Sequence, residues 1–180
     1  MLTIFVSSSR LTAMLAAATV LLAATNAASA GDGMIEVPTA LNPNKLSVFR
    51  AVSALGVQVY ACTSNPASAI GWVLKGPDAR LFDAQGKPVG KHYAGPTWED
   101  LDGSKVVGTV KTSLPASVDK AIPWLLLDAK SHEGSGAFSE AQAIVRMDTT
   151  GGSAPSDGCD EGRAGREVRV PYTAIYVFLK

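Results

Sequence analysis

The chain lacks most of the signatures that mark a chemistry in sequence. There is no Gly-x-Ser-x-Gly turn of the kind that presents a nucleophilic serine at a strand-to-helix bend. With only His92 and His132 as candidate bases, a dispersed Ser-His-acid site has little to draw on. His132-Glu133 does not continue into His-Glu-x-x-His, because Gly136 stands in the fifth position. A nicotinamide site needs a Gly-rich turn that delivers a pyrophosphate to a helix N-terminus. Gly31-Asp-Gly33-Met-Ile-Glu36 lacks the third glycine, and Gly134-Ser-Gly136-Ala-Phe-Ser139 fails in the same way. No basic run is present either. Arg163, Arg166 and Arg169 are interrupted by Glu161 and Glu167, and the whole chain balances 16 basic against 16 acidic residues, so nucleic acid is not an expected partner.

Long apolar runs are also missing, with one exception. Leu11–Thr25 is apolar, follows the single basic residue Arg10, and leads to Ala28-Ser-Ala30, a small-x-small cleavage pattern. That order is the order of a secretory signal peptide over residues 1–30. The competing reading, an uncleaved anchor, asks an Ala- and Thr-rich stretch to span a bilayer for which it is barely long enough. The expected molecule is therefore exported, to the periplasm or the medium, without a transmembrane segment after cleavage. Loss of residues 1–30 leaves 15 basic against 16 acidic residues and one domain's worth of chain.

In an oxidising compartment the two cysteines, Cys62 and Cys159, are most simply a disulfide, with two buried thiols as the alternative. Their spacing excludes a Cys-x-x-Cys redox motif. After a Gly/Pro/Asn-rich arm or loop at residues 31–45, the pattern over residues 46–180 has the two-residue period of strands. Val57, Val59 and Ala61 share one face, and Gln58, Tyr60 and Cys62 the other. Gly56, Asn65-Pro66, Gly76-Pro77-Asp78, Asp83–Gly86, Asp102-Gly-Ser104 and Gly134–Gly136 read as interruptions or turns. Ile122–Leu127 reads as a strand buried on both sides, and Val168–Tyr172 and Ala174–Leu179 as closing strands. Eight or nine short strands with few helical windows predict a single all-β antiparallel sandwich or barrel with long loops.

Several segments carry a resemblance. Gly56–Cys62, Gly95-Pro-Thr-Trp98 with Asp102-Gly-Ser104, Ile122–Leu127, Arg146 with Thr150-Gly-Gly152 and Pro155, and Val170-Pro-Tyr172 with Tyr176 and Phe178 occur in matching order over nearly the whole exported part. Together they resemble an uncharacterised family of exported bacterial and fungal proteins, domain-of-unknown-function family 3455. The resemblance implies one secreted domain and brings no activity, cofactor or assigned residue. Some fungal members carry the label malate dehydrogenase, which the missing nucleotide-binding turn does not support.

Two site hypotheses follow. The leading one is a binding or envelope-structural protein without a cofactor, its ligand an unknown small molecule or glycan. Trp98 lies in the polar, turn-rich context Gly-Pro-Thr-Trp-Glu-Asp, where it either caps the core or lines a site; with Tyr93 and His92 it forms the candidate ligand-binding set and predicts an exposed groove. Trp72 and Trp124 read as core. The alternative is a divalent transition metal held by His92 and His132 with Glu99, Asp100 or Glu133, which requires the two imidazoles within about 7 Å of each other. Glu99 and Asp100 are adjacent, so on a strand they point to opposite faces and do not flank one glycosidic bond.

Overall fold

The computed structural model describes residues 35–65 and 68–180. The expected signal peptide lies outside the described residues, as does the start of the expected arm. Eight strands follow in order: β1 Val48–Asn65, β2 Ser68–Phe82, β3 Pro88–Tyr93, β4 Thr97–Asp100, β5 Lys105–Leu114, β6 Trp124–Glu133, β7 Ala143–Gly151 and β8 Glu167–Leu179. Each pairs antiparallel with the next, and β8 returns to β1, so the sheet closes into an up-and-down barrel. Closure leaves no unpaired sheet edge. Of the two all-β architectures the sequence allows, the barrel is the one adopted. Among the described residues no helix is long and apolar enough to cross a membrane.

The two-residue period decides what faces inward. Val52, Ala54, Gln58, Tyr60 and Cys62 of β1 are buried, as are Tyr172, Ala174, Tyr176 and Phe178 of β8. Three expected interruptions lie inside strands instead. Gly56 is mid-β1, where a Cβ would fall 2.3 Å from the Asp78 carbonyl oxygen: glycine is there to let β1 and β2 approach, not to turn the chain. Gly76-Pro77-Asp78 is likewise inside β2. The register slips there, with Val59 opposite Gly76 and Tyr60 opposite Leu74, so turn-forming residues here make a bulge. The expected break at Thr173, between Val168–Tyr172 and Ala174–Leu179, also falls within β8, which runs through as one strand.

The run Ile122–Leu127 enters β6 at Trp124, and it is buried on both faces as expected. Leu127 faces the barrel interior, whereas Leu126 joins Val145, Met147, Val177 and Leu179 in a second cluster outside the sheet. Residues 35–46 cover that cluster, with Leu41 fully buried and Val37 and Leu46 packed beside it. The arm is therefore a structural strap over β6, β7 and β8.

One end of the barrel is plugged by the β6–β7 connection. Phe138 is fully buried and stacks on Phe178 at 4.3 Å, its backbone N–H donating to Ser104 Oγ at 3.2 Å. At the other end Cys62 and Cys159 form the expected disulfide across 97 residues, their Cα atoms 5.3 Å apart. The connection that carries Cys159 is fastened again by Trp72, whose Nε1–H donates to the Asp157 carbonyl at 2.7 Å. Trp72 is thus a half-buried clamp on this loop rather than a core residue. Trp124 is also half-buried, packed against the outer cluster.

Candidate functional site

A cavity of about 270 Å³ lies inside the barrel, on the side away from the Phe138 plug. Strand alternation places its walls. His92 on β3 is opposite Trp98 on β4, both facing in; Arg146 on β7 is opposite Tyr176 on β8; Gln58 comes from β1. Leu125 and Leu127 of β6 complete the apolar wall. Leu74 and Val110, each 53% exposed, stand at the opening. Large apolar side chains left in solvent at the lip of a cavity are the uncommon observation here, since most exposed apolar residues stand alone.

The floor is aromatic. The His92 ring lies on Trp98 at 4.3 Å with 13° between planes, and Tyr176 meets both edge-on at 4.8 and 5.2 Å. His92 is 2% exposed, and burial lowers its pKa to about 3, so the ring is neutral. Its Nδ1 is 2.8 Å from the Thr97 carbonyl oxygen, which can only accept. Nδ1 therefore carries the proton and Nε2 is left as an acceptor. Burial likewise raises the Tyr176 hydroxyl, an effect that the nearby Arg146 guanidinium partly offsets. Two wall residues have buried donors without a partner: Gln58 Nε2 and Trp98 Nε1, on side chains 2% and 1% exposed. A buried polar group left unpaired costs about 1–3 kcal/mol.

The residues selected from sequence divide across the sheet. Trp98 and His92 do meet, but inside the barrel: Trp98 is 1% exposed and belongs to the core cluster, so the expected exposed groove is absent, and the residue borders the cavity from within the core. Tyr93 neighbours His92 in sequence and consequently points outward, where its hydroxyl donates to Glu99 at 2.8 Å. That bond raises the Tyr93 pKa and lowers that of Glu99.

The metal set is not assembled. His92, Trp98, Val106 and His132 occupy one row across β3, β4, β5 and β6. Two strands, β4 and β5, therefore lie between the backbones of the two histidines, and the His92 ring is stacked on Trp98. His132 Nε2 is bonded to the Ala141 carbonyl at 2.8 Å. The carboxylates have other partners: Glu99 has Lys91, Asp100 has Arg50 and Glu133 has Lys105. Among the described residues no group of three or more His, Cys, Asp or Glu side chains is placed to hold a metal ion.

Sequence reasoning missed Gln58 and Arg146 as wall residues. A signal for each was present: Gln58 shares the face of Tyr60 and Cys62, and Arg146 falls on the core-facing phase of an apolar strand beside Ile144. What no period reveals is that β3–β4 and β7–β8 come together on one cavity.

No curated protein and no solved structure matches the chain. A family model described as protein of unknown function (DUF3455) matches residues 42–180, and the chain belongs to that family.

Proposed function

We propose that this domain is a small-molecule binding protein, exported as its leader implies, that takes a compact apolar ligand into the open end of its barrel. The observation that carries this reading is an apolar opening above an aromatic floor: Leu74 and Val110 are exposed at the lip, and the wall residues Gln58 and Trp98 each carry a buried donor, Nε2 and Nε1, that has no partner. An eight-stranded barrel has an interior just wide enough to be filled by side chains or to hold one small ligand. Here one end is filled by Phe138 and Phe178, and the other is hollow.

Size limits the ligand. A cavity of about 150 Å³ accommodates benzene, and drug-sized molecules occupy about 300 Å³ or more. The cavity lies between these, which fits a single ring or a short branched chain bearing one polar group. A glycan fits less well, because most of the wall has no hydrogen-bonding partner to offer it.

The test is calorimetric titration of the exported, oxidised protein with indole and with a series of phenylalkyl and short alkyl carboxylates and their primary amides. Saturable one-site binding is expected, abolished by Val110→Trp at the opening. Absence of binding across the series, or binding that Val110→Trp leaves unchanged, would refute the assignment.

A further inference from the structure

We propose that the ligand is a monoanion, an apolar carboxylate whose head group is received by Arg146. This rests on the binding reading above and adds the charge of the ligand to it. The eight ion pairs among the described residues involve Arg50, Arg163, Arg169, Lys75, Lys91, Lys105, Lys111 and Lys180. Arg146 is in none of them. It nevertheless stands on the inner face of β7, between the buried Val145 and Met147 of the outer face, and lines the cavity opposite Tyr176. Its Nε donates to the Pro123 carbonyl at 3.0 Å, which fixes the plane of the guanidinium and leaves the terminal nitrogens as donors.

The cavity holds nothing to neutralise that charge. Its wall contains no Asp or Glu. The other cation nearby, Lys75 at the rim, is paired with Glu167 at 2.6 Å. Arg146 is half-buried beside an apolar hollow with no carboxylate on its wall, and an anion bound there would give it a charged partner. One uncompensated positive charge calls for one negative charge, which favours a carboxylate over a doubly charged phosphate monoester. The planar fork of arginine matches the two oxygens of a carboxylate. Two other wall residues carry donors: Gln58, whose buried Nε2 has no partner, and Tyr176, whose hydroxyl lies 3.4 Å from that of Tyr172. The apolar body of the ligand would then lie along Leu125, Leu127 and the Trp98 ring.

The experiment compares matched pairs, each phenylalkyl or short alkyl carboxylate against its own primary amide, in the wild-type protein, Arg146→Gln and Arg146→Lys. The readout is the ratio of the two affinities within each protein. Circular dichroism and a cooperative melt establish that each variant is folded, and the ratio needs no comparison of absolute affinity between variants. The carboxylate should bind wild type about tenfold or more tightly than its amide. In Arg146→Gln the ratio should fall to one or below, and Arg146→Lys should restore part of it. Raising the salt concentration should lower the wild-type ratio and leave that of Arg146→Gln unchanged. Amides that bind as well as carboxylates in wild type would overturn the anion inference while leaving the binding function standing. If neither class binds, both fall. A carboxylate preference that persists in Arg146→Gln would assign the charge recognition elsewhere and overturn the role of Arg146.

Discussion

Acidifying the protein from pH 8 to pH 5 should remove about 2 kcal/mol of its stability, and one side chain should account for most of that loss. His92 is neutral in the folded barrel, with its pKa held near 3 by burial, but returns to about 6.5 when the chain unfolds. Between those values the unfolded state binds a proton that the folded state refuses. Stability contributed by the neutral ring is therefore complete above pH 6.5 and is lost as pH falls towards 3. In full, the gap is worth about 5 kcal/mol at about 1.4 kcal/mol per pH unit. The portion lost by pH 5 is about 2 kcal/mol. The window between pH 5 and 6.5 isolates His92 from the carboxylates with depressed pKa values, Glu99, Asp102 and Glu167, whose ordinary values are 3.8 to 4.5 and whose contributions are lost only at lower pH. Urea unfolding at pH 8, 6.5 and 5 measures the effect. The control is His92→Gln, a neutral side chain with an amide N–H to offer the Thr97 carbonyl. It should be less stable than wild type at pH 8 and nearly flat over the window. Parallel pH profiles for the two proteins would refute the argument, because they would show that the ring does not resist protonation.

Four further outcomes follow from the packing. Reducing the disulfide, or replacing Cys62 and Cys159 by serine, should lower the unfolding free energy by about 4 kcal/mol, since the bridge closes 97 residues of chain; equilibrium urea curves with and without reductant test this. Leu41→Ala should cost about 3 kcal/mol in the same assay, as deletion of a fully buried leucine, and so show that the strap is part of the fold. Tyr60→Phe should cost about 1–2 kcal/mol, because the Gly152 carbonyl would lose the buried donor now 2.6 Å away. Gly108→Val should cost about 1–3 kcal/mol and shift the Trp98 emission, because a Cβ there would lie 3.1 Å from both the Trp98 ring and Leu127.

Much of the architecture was legible because the barrel obeys one rule along every strand. The alternation through Gln58, Tyr60 and Cys62 names the inward face of β1, and the continuous apolar run at Leu125–Leu127 announces a second layer on the outside. The pairing of Cys62 with Cys159 followed from compartment and parity. The errors had a common cause. Gly56, Gly76 and Pro77 are residues of turns, but in a tightly curved barrel the same residues supply close strand approach and a bulge, so local chemistry divides strands that are continuous. The site was half legible. Trp98 stands out in the sequence as an aromatic residue in a polar setting and His92 as a titratable one; both border an interior cavity rather than an exposed groove. Tyr93 was misplaced because adjacency in sequence means opposition across a sheet. His92 and His132 share only their rarity in the sequence, and the register sets β4 and β5 between them. Arg146 became visible only once the register placed it opposite Tyr176 on the cavity wall.

The central claim is that the hollow end of the barrel receives a small apolar ligand against the Trp98 indole. The most direct measurement is the proton–nitrogen correlation spectrum of the three indole N–H groups during titration with a phenylalkyl carboxylate. The account predicts that the Trp98 Nε1–H resonance, assigned through Trp98→Phe, shifts saturably, while those of Trp72, bonded to the disulfide loop, and Trp124, on the outer cluster, stay in place. A saturable shift at Trp72 or Trp124 with Trp98 unmoved would contradict it and move the site to the outside of the barrel.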